Sequence, residues 1–303
     1  MHPVLLSIGN FSVSSFGLFL LLAIFTSSFV IWRIAALYDL EAEKVLDLIF
    51  LTIAGGIIGA RIYFIILNLP IFDNLLKIIL ITKYGGLSFW GGLLAGGLTL
   101  RLFSQRLKIN FWRAADFAIV GLALGIAISS IGCLLGSCQY GLPSKLPFAV
   151  IQVGLIGKRF PLQIVESILA FLLFLYLWGK VLRFHIDGQV ASIGLILLGV
   201  AKFLLEFFRG DRGLGQIWSV LLIFAGVFIY YLVSKKSFLA DLKFMLRLAT
   251  DGSSRQATVL KLTKSWYNFS VSWHVTMIRW RKNLLRLLNI KPNPPKVGEH
   301  RNV

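Results

Sequence analysis

Seven apolar segments, each long enough to cross a lipid bilayer, constrain this chain more than any other feature. They run Phe11–Trp32, Val45–Asn68, Leu87–Phe103, Ala114–Leu135, Pro161–Leu182, Val190–Phe208 and Leu214–Leu232. A hydrocarbon core about 30 Å thick takes roughly 20 apolar residues as a helix. Backbone in that core must satisfy its own hydrogen bonds, which predicts helices rather than loops or open sheet edges. The expected fold class is therefore all-α, a polytopic integral membrane protein with seven transmembrane helices. Composition agrees: 57% of residues are hydrophobic and 15% charged, against about 45–50% and about 25% in soluble domains. No Lys or Arg precedes Arg33, so the first segment lacks a basic leader and is expected to be a retained helix rather than a cleaved signal peptide.

The formal charge is +18, and 14 of the 31 Lys and Arg lie in residues 235–303 beside only 3 acids. Cations concentrate on the cytoplasmic side of membrane proteins. Arg101, Arg106, Lys108 and Arg113 add a dense basic loop on the same side as that tail. Together they predict an outer N-terminus and a cytoplasmic C-terminus. Two regions follow, a membrane domain over 1–234 and a basic tail over 235–303. In the tail, Trp266, Tyr267, Phe269, Trp273 and Trp280 interleave with cations. That pattern suits amphipathic helices on an anionic membrane surface. Nucleic acid is the weaker reading, because lipid is the nearest anion to a membrane-tethered stretch. Residues 291–303 are polar and proline-rich and are expected to be disordered.

Charges inside apolar segments are costly and point to function. Arg61, Lys202 and Glu206 lie inside them, and Arg209 follows directly. Lys202–Glu206 is an i,i+4 pair and Glu206–Arg209 an i,i+3 pair, which predicts one shared helix face. The plain alternative is a structural ion cluster snorkelling to the surface. Alternation of the spans puts these residues at the same, outer, end as three loops. They are Gly85–Gly92 with Trp90, Ile131–Gly141, and Phe160–Glu166. Glycines there are expected to let backbone approach a ligand. Cys133 and Cys138 are too few for a four-ligand metal site. They read as two small residues packed near a helix end, with a bridge as the alternative. His2, His185, His274 and His300 all lie outside the segments, which excludes an intramembrane Ser-His-Asp triad. Cations beside glycine-rich breaks best suit an anionic lipid headgroup.

Seven short motifs occur in register with the seven segments. They are His2-Pro3-Val4-Leu5-Leu6-Ser7-Ile8-Gly9, Gly59-Ala60-Arg61-Ile62-Tyr63, the Gly85–Gly92 run, Ala115-Asp116-Phe117, Ile131–Gly141, Phe160–Glu166 and Glu206-Phe207-Phe208-Arg209. In these the chain resembles the prolipoprotein diacylglyceryl transferases over about Met1 to Leu232. The resemblance implies a seven-span enzyme of the bacterial inner membrane that uses no cofactor and no metal. It would move the diacylglyceryl group of phosphatidylglycerol to the lipobox cysteine thiol of a prolipoprotein, forming a thioether and releasing glycerol phosphate. The partners so implied are phosphatidylglycerol and prolipoprotein signal peptides. Glu206, Lys202 and Arg209 are the expected catalytic residues. Arg61, Ser130, Gly132, Tyr140, Gly141, Gln163, Glu166 and Trp90 are the expected substrate contacts.

The chain departs from the family pattern at several of these places. Phe16 stands where the family commonly has Tyr, and Trp90 and Phe160 where it has His. Ser130 stands for Arg, Cys133 for Asn and Lys202 for Arg. Lysine keeps the charge but not the bidentate fork. Two readings stay open on the sequence: a diacylglyceryl transferase, or a non-catalytic descendant that binds anionic lipid or signal peptides.

Overall fold

The computed structural model describes residues 4–8, 11–72, 86–210 and 213–234, together with Thr263, and the side chains of 5–13 and 71 are left aside. All seven apolar segments are helical. Helices α1 (Ser15–Leu37), α2 (Ala42–Leu67), α3 (Phe89–Arg106), α4 (Phe111–Leu135), α5 (Leu162–Val181), α6 (Gln189–Glu206) and α7 (Gly215–Ser234) follow in chain order. Six are long and apolar enough to cross a membrane. The other is α3, which carries four glycines and two arginines. The basic tail lies outside the described residues, apart from Thr263.

The start of the first helix differs from the sequence expectation. The first segment was expected to turn helical at Phe11. Instead Phe11–Ser14 (β2) pairs antiparallel with Val4–Ile8 (β1), Ile8 opposite Phe11. The helix starts at Ser15 because the Ser14 hydroxyl accepts the Gly17 amide at 3.1 Å, capping one of the donors that a first turn leaves unpaired. A second small hairpin, Val150–Ile151 (β3) with Lys158–Arg159 (β4), lies between α4 and α5.

Helix α4 is the centre of the bundle. It packs on α1 and α5 and also meets α3 and α6, while α2 pairs with α3 and α6 with α7. Half of its most apolar stretch is buried, against about a tenth for α7, whose Phe224 and Phe228 stand exposed. Outward Leu and Phe are what hydrocarbon solvent permits. Tight crossings use small residues, as is common between membrane helices. A Cβ at Gly59 would overlap Ala95, and one at Gly55 would overlap Thr99, so α2 and α3 nearly touch backbones.

Helix alternation gathers the N-termini of α1, α3, α5 and α7 at one end of the bundle with the C-termini of α2, α4 and α6. The opposite end is fastened by Asp116. Its buried carboxylate accepts the Gly188 and Ala191 amides, both at 2.6 Å, and lies 3.4 Å from His185 Nε2. Asp116 on α4 thereby caps the start of α6 from across the bundle.

Candidate active site

At the motif-bearing end, backbone hydrogen bonds first lace the loops together. The Ser88 amide donates to Ala60 O, which fixes the start of α3 on α2. The segment after α4 then runs beside the segment after α6: Leu142 N donates to Phe208 O, Gly210 N to Tyr140 O, and Gly141 bridges Arg209. Phe160 N donates to Leu142 O and brings in the start of α5. Gly141 is required by this crossing, because a Cβ there would overlap the Phe160 carbonyl.

Two carboxylate–cation pairs sit on this framework. Lys202 of α6 is paired with Glu166 of α5, and its ammonium lies 4.4 Å from the Phe89 ring centroid. Both partners are largely buried. The sequence spacing had paired Lys202 with Glu206 on one helix face. In the structure α6 ends at Glu206, the chain turns through Phe207 and Phe208, and Lys202 reaches across to α5 instead. The second pair is as expected, with Arg209 Nη1 at 3.3 Å from Glu206 Oε2. A Cβ at Gly215 would overlap the Glu206 carboxylate. The anion therefore rests against the first turn of α7, where the helix dipole favours negative charge.

The remaining expected residues divide between this cluster and the scaffold around it. Arg61, buried near the end of α2, donates to Gly86 O at 3.2 Å and lies 5.2 Å over the Phe72 ring. Gln163 is fully buried, and its Nε2 donates to Cys138 O at 2.5 Å. Its Oε1 meets no partner among the described residues. Trp90 stacks on Trp218 of α7 at 6.2 Å, and Trp218 Nε1 donates to the Tyr63 hydroxyl at 2.8 Å. Tyr140 contributes its carbonyl to the lacing, and its ring lies 5.5 Å beneath the Arg159 guanidinium. Ser130 is buried on α4. Gly132 is a packing residue rather than a place for ligand approach, since a Cβ there would overlap Phe19 of α1.

Other participants go beyond the expected set. Cys133 and Cys138 are joined as a disulfide, the alternative that the sequence held behind simple packing. The bond closes the elbow whose Cys138 carbonyl holds Gln163. Phe89, Tyr63 and Trp218 form the aromatic wall around Lys202 and Trp90. Tyr63 and Phe89 lay within quoted motifs without being singled out, and Trp218 lay in none. Arg159, whose guanidinium lies over the Tyr140 ring, belonged to no quoted motif.

The prolipoprotein diacylglyceryl transferase family model matches residues 3–232. This chain belongs to that family. It is 27% identical over 252 residues to the phosphatidylglycerol–prolipoprotein diacylglyceryl transferase of Finegoldia magna, covering 80% of this chain and all of the relative. The enzyme of the same name from Clostridium tetani is 27% identical over 246 residues, covering 76% and 97% of the two chains. That of Bordetella avium is 28% identical over 254 residues, covering 78% and 96%. At two of the places where this transferase-family chain departs from the pattern noted above, the ring that stands there is stacked on another. Phe160 lies 5.4 Å from Phe208, nearly parallel, and Trp90 lies on Trp218. Phe16 packs against Gly136 at the end of α4.

Proposed function

We propose that this protein transfers the diacylglyceryl group of phosphatidylglycerol to the cysteine thiol of prolipoprotein lipoboxes. Family membership carries the reaction class, and one observation carries the assignment of the site. Arg61, Lys202 and Arg209 share the same end of the bundle with Glu166 and Glu206. These five groups have a net single positive charge, which a monoanionic phosphodiester would neutralise. In the reaction a sulfur–carbon bond forms at the glyceryl carbon, and the carbon–oxygen bond to phosphate breaks. Glycerol phosphate leaves with the electron pair. The thiol must lose its proton to act, and a carboxylate of the cluster accepts it. Glu206 is the better placed, because it lies beside Arg209 and against the start of α7, whereas Glu166 is taken up by Lys202. Arg209, Lys202 and Arg61 hold the phosphate as its charge grows. Gln163, Glu166, Ser130, Tyr140, Gly141 and Trp90 shape the place where the two substrates meet.

The site end faces outward in this reading, in a bacterial inner membrane, with the tail on the cytoplasmic anionic surface. Cysteines introduced by Lys145→Cys and Lys296→Cys should react oppositely with an impermeant reagent in intact cells. Equal reaction would refute an outward site. The function itself is tested with labelled phosphatidylglycerol and a lipobox peptide. Thioether product that depends on Glu206 is expected. Retention of phosphatidylglycerol without any product would overturn the transfer reading in favour of a binding protein.

A further inference from the structure

The hairpin between α4 and α5 is built inside out. Along Val150 to Val153 the side chains alternate, as a strand requires, but the polar one faces in. Gln152 is 1% exposed, and neither of its amide atoms finds a partner among the described residues. Its neighbours Ile151 and Val153 are 65% and 55% exposed. Phe148 before the strand and Ile156 in the turn are 57% and 97% exposed. A cluster of large apolar side chains on the exposed face of a hairpin marks a surface that meets something other than water.

Three further observations say what covers this face. The hairpin joins the ends of two helices that are each long and apolar enough to span a bilayer, so continuity of the chain holds it at the level of the headgroups. Its charge is of one sign: Lys145, Lys158 and Arg159 flank the Phe148–Ile156 stretch, and no Asp or Glu occurs between Asp116 and Glu166. Gly154 and Gly157, at φ +84° and +85° with open space around their Cα atoms, let the chain double back tightly at the tip. Exposed aliphatic side chains flanked by cations are the pattern of a segment that lies in the membrane interface.

We infer that the Phe148–Ile156 hairpin dips into the bilayer interface. Phe148, Ile151, Val153 and Ile156 enter the acyl boundary, and Lys145 and Lys158 contact anionic lipid phosphates. Through the Pro143–Arg159 and Gly141–Arg209 bridges the same ribbon runs from the lipid surface to the charged cluster. The inference needs neither the transfer reaction nor the orientation to hold.

The test uses the full-length protein in phosphatidylglycerol nanodiscs. The native cysteines are bonded to each other, so Ile156→Cys and Ile151→Cys each accept a single fluorophore. Quenching by lipids with a shallow acyl nitroxide should exceed quenching by aqueous iodide by about threefold or more at both positions. Lys145→Gln with Lys158→Gln should reduce the lipid quenching in phosphatidylglycerol but not in phosphatidylcholine. Fluorophores quenched mainly by iodide would overturn the inference. So would fluorophores that leave water only when a lipobox peptide is added, which would assign the face to the peptide.

Discussion

The two ends of this bundle treat buried carboxylates in opposite ways. At one end Asp116 is saturated by two backbone amides and His185, and every contact serves the geometry of α6. At the other end Glu166 and Glu206 are held by side-chain cations, and Gln163 Oε1 and the Gln152 amide lie buried without a partner among the described residues. A buried polar group without a partner costs about 1–3 kcal/mol. The site end therefore retains polar capacity that the fold itself does not consume. The difference separates a fastener from a site without reference to any relative.

The sharpest way to break this comparison is to remove the fastener. Asp116→Ala leaves two amides and His185 without their acceptor and should cost about 3–5 kcal/mol of stability. Thermal unfolding in detergent would read it. The fraction that remains folded should transfer at the parent rate per molecule. A variant as stable as the parent, or one folded but inactive, would show that the Asp116 end is not simply structural.

Glu206→Gln is the converse. It keeps the shape, deletes the charge at the start of α7, and should lower transfer by at least about a hundredfold, equivalent to about 2.7 kcal/mol in the barrier. Its melting temperature should move little, because the amide still reaches Arg209. Arg209→Ala should show the same loss of transfer together with weaker phosphatidylglycerol binding. Full transfer by both variants would reduce the cluster to a structural ion network.

The contrast between the ends was only half legible in the sequence. Segment length and apolarity marked the helices, six of them by the long runs that burial in lipid demands, and the same runs exposed Arg61, Lys202 and Glu206 as outliers. The start of α1 was not legible, since Phe11 and Val13 satisfy an apolar helix and an alternating strand equally. Nor was the partner of Lys202. The i,i+4 spacing permits a pair with Glu206, but a contact to Glu166, 36 residues away, depends on how α5 lies against α6. The choice between a packed pair of cysteines and a bridge was undecided for a related reason. Only the turn at Gly136 brings the Cα of Cys138 back to 5.1 Å from that of Cys133. Asp116 sat in a quoted motif, yet its partners are 72 and 75 residues away.

A milder probe of the fastened end is Tyr38, just past α1, whose hydroxyl donates to Val181 O at 2.6 Å. Burial, with the nearby Asp116 and Asp187 carboxylates, holds its phenol above the ordinary value near 10. The folded state thus favours the protonated phenol. That contribution is fully present below about pH 10 and is lost as pH rises through the raised value. Tyr38→Phe should cost about 1 kcal/mol at neutral pH, the worth of one hydrogen bond. The difference from the parent should shrink in alkaline unfolding curves. A constant difference across that range would show that the hydroxyl does not titrate with folding.

The smallest effect is expected from Lys202→Arg, and it is the finest discriminator at the charged end. Lysine here pairs with Glu166 and also lies over the Phe89 ring. Both contacts suit a guanidinium, which stacks on aromatic faces and can bond a carboxylate through two N–H groups. The charge is kept and the fork is gained, so transfer should stay within about threefold of the parent, less than about 0.7 kcal/mol. The melting temperature should not fall. If lysine is needed as a compact point charge that swings from Glu166 to a phosphate, the fork would hold Glu166 too firmly. Transfer would then drop well beyond that range while stability rose. Measuring both on the same preparation separates a cation that only holds its carboxylate from one that must release it for the lipid.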